Sequence, residues 1–163
     1  MCLPQIPEKD YSKQHFGNFK YPALTIGWGL TEEGYTANIL KKLPRSILLP
    51  WTCKQLLRTF AKAKNRLDMS SFFDKTVMVC SSDSGGRDQC QGDSGAPWVV
   101  LDRTFAKPYD DQSRWTLMAL TSWGPGGSAD CGQSTGIGAK LNGNVIKWIG
   151  ESTGLGISQE RHQ

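Results

Sequence analysis

The feature that most constrains this 163-residue chain is the ten-residue string Asp88-Gln-Cys-Gln-Gly-Asp-Ser-Gly-Ala-Pro97. It places Ser94 between an aspartate and a glycine, shortly after a cysteine. Glycines let a backbone turn sharply and bring its N–H groups close to a bound carbonyl. A serine hydroxyl becomes a nucleophile only beside a base, and it needs donors for the oxyanion that it creates. The string therefore predicts a nucleophile loop, although Gly-Asp-Ser-Gly alone also occurs in ordinary turns.

Composition predicts one loop-rich β domain, because the chain has 18 Gly, 8 Pro and 38% hydrophobic residues. The net charge is +4, and the 19 basic residues are spread along the chain rather than clustered, which argues against a nucleic-acid surface. No apolar run approaches the roughly 18 residues of a membrane span. The N-terminal residues lack the basic and long apolar regions of a signal peptide. We therefore expect neither nucleic acid nor membrane as a partner.

The pattern of hydrophobic residues places the elements along the chain. Short apolar, β-branched runs predict strands over residues 21–29, 37–49 (one or two strands), 77–80, 98–106, 115–123 and 135–141. Residues 51–66 instead have a helical period, with Leu56, Leu57 and Phe60 on one face. The basic row on the opposite face of that helix is typical of a solvated surface, with an acidic partner as the alternative. A terminal helix is predicted over residues 144–151, with Asn144 as its cap.

The five cysteines, at positions 2, 53, 80, 90 and 131, lack the Cys-x-x-Cys spacing of zinc sites. Of the two histidines, only His15 lies near a cysteine, and a lone histidine in a polar segment predicts no catalytic role. We expect no metal and no other cofactor. The cysteines indicate an oxidising compartment, and their odd number indicates one whose partner lies on another chain.

The Asp88–Pro97 string resembles the nucleophile loop of the trypsin/chymotrypsin serine proteases. The Gly-Trp-Gly that ends residues 21–29 is similar to the strand that opens the second of that family's two barrels. Many relatives carry a cysteine pair at the positions of Ala23 and Val100, and both halves are absent here together. The resemblance implies an all-β fold, a Greek-key antiparallel barrel with an intermediate helix and a C-terminal helix. That domain would cover residues 21–151, between a linker or crossing segment (1–20) and a polar tail (152–163).

The same resemblance implies the roles of the nucleophile loop. Ser94 would be the nucleophile, and the N–H groups of Gly92 and Ser94 would form the oxyanion hole. Asp93 matches the aspartate that pairs with a newly formed amino terminus in the family and so orders this loop. The chain shows no Ile-Val-Gly-Gly activation terminus, and neither histidine stands in the context of the family's base. We therefore expect the chain to be an incomplete serine endopeptidase, inactive alone.

Substrate binding is implied for five further residues. Asp88 matches the carboxylate at the floor of a trypsin-type pocket, which pairs with an Arg or Lys of a protein or peptide substrate. Ser122, Trp123 and Gly124 resemble the edge segment that binds the substrate backbone as an added strand. Gly136 matches the small residue that keeps the pocket open. Taken singly, a turn serine at 94, a solvated Asp88 and a core Trp123 are the simpler interpretations.

The resemblance also implies the disulfides. Cys53–Cys80 would brace the intermediate helix and Cys90–Cys131 the pocket walls. Cys2 would bond to a partner outside the chain, either the missing N-terminal barrel or a pro-region. This pattern implies a secreted protein.

Two departures from the family put the details of specificity in question. Ala96 stands where most relatives have glycine, and the loop Pro125–Asp130 is longer than its trypsin counterpart. The leading hypothesis is an endopeptidase that cleaves after Arg or Lys. The alternatives are a non-catalytic homologue acting as a binding or regulatory protein, and a secreted β domain unrelated to proteases.

Overall fold

The computed structural model describes residues 21–82, 85–102, 114–125 and 130–154. In chain order its elements are β1 (Tyr21–Gly27), β2 (Lys41–Leu48), α1 (Pro50–Lys64), a 3₁₀ turn (Met69–Ser71), β3 (Met78–Ser82), β4 (Pro97–Asp102), β5 (Arg114–Trp123), β6 (Gly136–Lys140) and α2 (Gly143–Thr153). The predicted linker, Cys2, both histidines and most of the predicted tail lie outside the described residues.

The six strands close into one antiparallel barrel in the order β1-β2-β3-β6-β5-β4. Strand β4 pairs with β1 through Leu24 opposite Val99. The first four strands therefore have the spatial order 4-1-2-3 of a Greek key. The predicted fold class, a closed antiparallel barrel with an intermediate and a C-terminal helix, is confirmed. The run 37–49 contains a single strand, because residues 37–40 still belong to the turn that follows the Leu30–Thr36 bridge.

The barrel interior holds two clusters of buried side chains. One consists of Ala23, Ile47, Trp98, Val100, Met118 and Ala119. The other consists of Leu48, Cys53, Leu57, Phe73, Cys80 and Ile137, and joins α1 to the barrel. Ala23 and Val100 pack in the same cluster, so the two positions that relatives fill with cysteine are here filled by apolar packing.

Helix α1 begins with Pro50 at its first position, where the missing N–H costs no helical hydrogen bond. Its buried face is Cys53, Leu57, Phe60 and Ala61, at the i, i+4, i+7 and i+8 spacing of an amphipathic helix. The prediction that Leu56 shares this face was wrong, since Leu56 is 36% exposed. Asn65 ends the helix in the left-handed conformation, at φ 49°.

Helix α2 begins one residue earlier than predicted and has a different cap. The Asn142 side chain accepts a hydrogen bond from the Val145 N–H at 3.1 Å. Asn144 lies inside the first turn of the helix, so the prediction that it is the cap was wrong. Neither described helix has the length and apolarity needed to cross a membrane.

Both predicted disulfides within the described residues are confirmed. Cys53–Cys80 joins α1 to β3, with its Cα atoms 5.9 Å apart. Cys90–Cys131 joins the loop before β4 to the loop before β6, with its Cα atoms 5.5 Å apart.

Candidate active site

Most of the predicted site residues line one cavity of about 370 Å³, while Gly92 and Asp93 are not part of its lining. Its lining includes Asp88, Ser94, Ser122, Trp123, Gly124 and Gly136, together with both cysteines of the Cys90–Cys131 disulfide. These residues come from the loop before β4, the end of β5 and the start of β6. Closing the barrel places β5 beside both β4 and β6, which is how segments far apart in sequence reach one cavity.

The loop that carries Ser94 is held against β5. Gly95, at φ +80°, donates its N–H to the Thr121 carbonyl at 2.9 Å, and Thr121 donates back to the Ala96 carbonyl at 2.9 Å. The Trp98 indole N–H also donates to the Thr121 hydroxyl at 2.9 Å. Glycine is needed at position 95 because a residue with a Cβ rarely adopts this backbone conformation. The contacts hold an exposed Ser94 at the cavity wall.

The Asp93 carboxyl group holds the same loop against the residues that follow β1. Its Oδ1 accepts the Gly29 N–H at 2.7 Å, and its Oδ2 accepts the Cys90 N–H at 3.0 Å. A Cβ at Gly27 or Gly29 would overlap the Asp93 carboxyl group. The Gly-Trp-Gly sequence after β1 therefore leaves room for this carboxyl group against the backbone.

The oxyanion-hole candidates are the amides of Gly92 and Ser94. Gly92 has φ +95°, and neither amide donates a hydrogen bond to another described residue. The Ser94 hydroxyl likewise makes no hydrogen bond to another group within the described ranges. The loop thus presents two backbone donors and one hydroxyl that a bound molecule would contact.

The predicted substrate edge lies at the end of β5. Trp123 pairs with Ile137 of β6, and a bulge between Thr121 and Trp123 sets Ser122 outside the regular pairing. On the opposite side, the pairing of β5 with β4 ends at Leu120. Within the described part of the chain, residues 122–124 therefore have no strand partner on the β4 side, and an extended peptide can add to such an edge as a strand.

Asp88 has a partner that sequence reasoning missed. The Arg45 Nη1 lies 2.7 Å from Asp88 Oδ1, and the two side chains are only 1% and 7% exposed. The Gln89 N–H donates to the same oxygen at 2.7 Å. Arg45 stands on β2 in the alternating position that faces the barrel interior, two residues before buried Ile47. A charged residue at an inward position was the signal that could have identified it.

The backbone of Gly136 packs against the buried Arg45–Asp88 pair. A Cβ at Gly136 would lie 2.9 Å from Asp88 Oδ1 and 3.2 Å from Arg45 Nη2, and would overlap the end of the Gln89 side chain. The glycine therefore makes room for the polar cluster as well as for the cavity.

A second carboxylate of the cavity, Asp130, is also paired. Lys64 Nζ lies 3.1 Å from its Oδ1, and Arg66 Nη2 lies 2.8 Å from its Oδ2. Its side chain is 7% exposed. No group of three or more His, Cys, Asp or Glu side chains that could hold a metal ion occurs within the described ranges.

Comparison with known proteins agrees with this geometry. Residues 3–149 match the protein family described as Trypsin. The chain is 36% identical to ovochymase-2 of Mus musculus over 135 residues, which are 82% of this chain and 18% of that protein. It is 30% identical to the complement C1s subcomponent of Bos taurus over 126 residues, or 77% of this chain and 16% of that protein.

A third relative, clotting factor C of Tachypleus tridentatus, is 27% identical over 152 residues, or 91% of this chain and 13% of that protein. The chain therefore spans less than a fifth of the length of each of these three proteins. The family match covers nearly the whole length of the chain, and the structure is an antiparallel barrel with the Ser94 loop beside the end of β5. This chain therefore belongs to the trypsin family of serine proteases.

Proposed function

We propose that this chain supplies the nucleophile, the oxyanion donors and the substrate pocket of a serine endopeptidase. The observation that carries the proposal is the exposed Ser94 at the wall of the 370 Å³ cavity, on a loop whose Gly92 and Ser94 amides donate to no described residue. Residues 122–124 would hold the peptide backbone as an added strand, which would bring one of its carbonyl carbons to Ser94 Oγ.

In this proposal Ser94 Oγ attacks the peptide carbonyl carbon while a base takes the hydroxyl proton. The Gly92 and Ser94 N–H groups donate hydrogen bonds to the negatively charged carbonyl oxygen. Removing one such donor typically lowers the rate about 10²–10³-fold. The protonated base then gives its proton to the leaving amine, and water hydrolyses the acyl-enzyme. We assign the base histidine and its orienting aspartate to a first barrel outside the described residues. A bond from Cys2 to that barrel or to a pro-region belongs to the same proposal.

The resemblance adds a finer hypothesis, cleavage after Arg or Lys. The presence of Asp88 in the cavity lining supports it, since a carboxylate is the natural partner of a guanidinium or ammonium group. The buried pairing of Asp88 with Arg45 weighs against it, because that carboxylate already has a cationic partner within the chain. Secretion is likewise a proposal, supported by two disulfides of a kind that persists in oxidising compartments.

Labelling the full-length natural protein with a fluorophosphonate tests the peptidase proposal. We expect stoichiometric phosphonylation of Ser94 in the native protein, no label in Ser94→Ala, and none after unfolding in urea. A folded full-length protein that stays unlabelled at Ser94 under conditions that label a control serine protease would reject the proposal.

The second candidate is a non-catalytic homologue that acts as a binding or regulatory protein. It is favoured by one observation, that the Ser94 hydroxyl has no hydrogen-bond partner among the described residues. An unlabelled but folded protein that still binds extended peptides at residues 122–124 would support this candidate.

A further inference from the structure

We propose that Arg45 determines the substrate preference of this cavity by neutralising Asp88, so that the pocket favours an uncharged aliphatic or aromatic side chain over Arg or Lys. The proposal rests on the proposed peptidase function and names its substrate class. It departs from the preference that Asp88 alone would imply.

Arg45 is a fixed, buried side chain behind Asp88 rather than a mobile surface side chain. Its Nε donates to Ser81 Oγ at 3.1 Å and its Nη2 to the Ser81 carbonyl at 2.8 Å. Its Nη1 donates to the Arg87 carbonyl at 2.8 Å and contacts Asp88 Oδ1 at 2.7 Å. All three guanidinium nitrogens thus have partners, and the side chain is 1% exposed. A guanidinium group keeps its positive charge in proteins, so this charge stays beneath the cavity.

Asp88 is correspondingly engaged from within the chain. Besides Arg45, its Oδ1 accepts the Gln89 N–H at 2.7 Å. With the Gln89 amide oriented to satisfy both of its ends, the amide nitrogen also donates to Oδ1, at 2.8 Å. The charges of Asp88 and Arg45 sum to zero. A substrate guanidinium that approached Asp88 would therefore meet a second positive charge already held there, and like charges in a poorly solvated site disfavour each other.

The second acidic residue of the cavity does not restore a negative charge. Asp130 lies between Lys64 and Arg66, at 3.1 and 2.8 Å. Asp88 and Asp130 are the two charged residues in the described lining, and both are matched by internal cations. The rest of the wall includes Trp123, Pro125 and the Cys90–Cys131 disulfide, surfaces that suit an apolar side chain.

The first test compares cleavage by the full-length protein of peptides that differ only in the residue before the cleaved bond. We expect kcat/KM for Leu or Phe to exceed that for Arg or Lys at least about tenfold, or 1.4 kcal/mol. Arg45→Met removes the cation and should reverse this order, whereas Arg45→Lys keeps a cation and should retain the wild-type order. A wild-type protein that prefers Arg or Lys would overturn the proposal.

The second test needs no catalysis and uses binding of p-aminobenzamidine, an aromatic cation shaped like a guanidinium group. We expect the full-length wild-type protein to bind it at least about tenfold more weakly than Arg45→Met does. If Arg45→Met fails to fold, Asp88→Asn decides, because it leaves the backbone partners of Arg45 in place. Asp88→Asn leaves the Arg45 charge unmatched, so under the proposal its amidine affinity is no higher than the weak wild-type value, whereas tight wild-type binding that Asp88→Asn abolishes would overturn it.

The results of these tests distinguish rejection of the Arg45 proposal from rejection of the proposed peptidase function. A protein that is inert towards fluorophosphonate and all peptides would reject the proposed function. The amidine measurement would still show whether Asp88 is available to a cation, and would support or reject the role of Arg45 by itself.

Discussion

At the scale of single residues, the contact between Asp93 and the turn after β1 positions the loop that carries Ser94. The two carboxylate oxygens of Asp93 accept N–H groups from Gly29 and Cys90, one on each side of the loop. Side chains at positions 27 and 29 would occupy the space of that carboxyl group. The orientation of Ser94 therefore depends on a residue outside the cavity lining.

Gly29→Ala tests this dependence. The new methyl group overlaps the Asp93 carboxyl group, and overpacking of this kind typically costs about 1–3 kcal/mol of unfolding free energy. We also expect slower fluorophosphonate labelling of Ser94, because Asp93 must move. Gly124→Ala is the matched control for stability, since its Cβ meets no atom within 4 Å. Equal urea midpoints for the two variants would contradict the prediction.

Residue-level prediction from sequence was possible where the chemistry is local, and the roles predicted for Ser94, Gly92 and Asp93 stay predictions. Ser94, Gly92 and Asp93 stand within one short string, whose spacing alone indicates a nucleophile loop. The role of Arg45 was not predicted, because it depends on the ion pair with Asp88. Only closure of the barrel brings β2 beside the loop that holds Asp88.

At the scale of elements, the start of α2 depends on one side chain. Asn142 caps the helix through the Val145 N–H and also donates to the Thr76 carbonyl, at 3.4 Å. We expect Asn142→Ala to lower the unfolding free energy by about 0.5–2 kcal/mol, as loss of an N-cap does. Asn144→Ala is the control, because Asn144 is exposed within the first turn. Urea denaturation of both variants would refute the assignment if Asn144→Ala cost more.

The connection between α1 and β3 carries a pH-dependent contribution to stability. The Ser70 N–H and hydroxyl hold the pKa of Asp68 below its usual value of 3.8, with a smaller effect from the charge of Arg58. A lowered folded-state pKa means that the charged form is favoured in the folded protein. The stabilisation is therefore complete above the unfolded-state pKa and is lost as the pH falls through the folded-state value.

Asp68→Asn should accordingly lower the melting temperature at pH 7, and its difference from wild type should disappear as the pH falls below 3.8. Glu33→Gln, in the exposed turn after β1, controls for the loss of one negative charge. A difference between Asp68→Asn and wild type that stays constant down to pH 2.5 would show that Asp68 does not contribute through its charge.

At the scale of the whole molecule, the β1–β2 connection presents a group of exposed apolar side chains. Trp28, Tyr35, Ile39 and Leu40 are 57%, 74%, 68% and 48% exposed. Several large apolar side chains exposed on one short connection are unusual on a soluble domain and indicate either a covering partner or a tendency to associate.

We expect the isolated 163-residue chain to bind the dye ANS and to self-associate during size-exclusion chromatography. Trp28→Ser with Tyr35→Ser should reduce both effects, whereas Trp51→Ser, which removes a 70% exposed tryptophan from α1, should reduce them less. A monomeric, ANS-silent isolated chain would contradict the prediction.

The order of strands and helices followed from periodicity, which is a property of the chain itself. The barrel class and both described disulfides followed from the resemblance of short motifs to the trypsin/chymotrypsin family. Local details were less accurate. The cap of α2 is Asn142 rather than the predicted Asn144, and Leu56 is exposed rather than part of the buried face of α1. Tertiary packing determines which of several neighbouring positions is used, and local sequence patterns do not resolve that.

By itself, the sequence determined the pattern of strands and helices and the short string that carries Ser94, because both are short-range features. Its resemblance to a known family indicated the antiparallel barrel. Only the tertiary structure decided the charge of the pocket. Asp88 alone predicts a negatively charged floor, but closure of the barrel buries Arg45 against it at 2.7 Å. A carboxylate attracts a cationic substrate only while its own charge is unmatched, and that depends on which side chains the fold brings together.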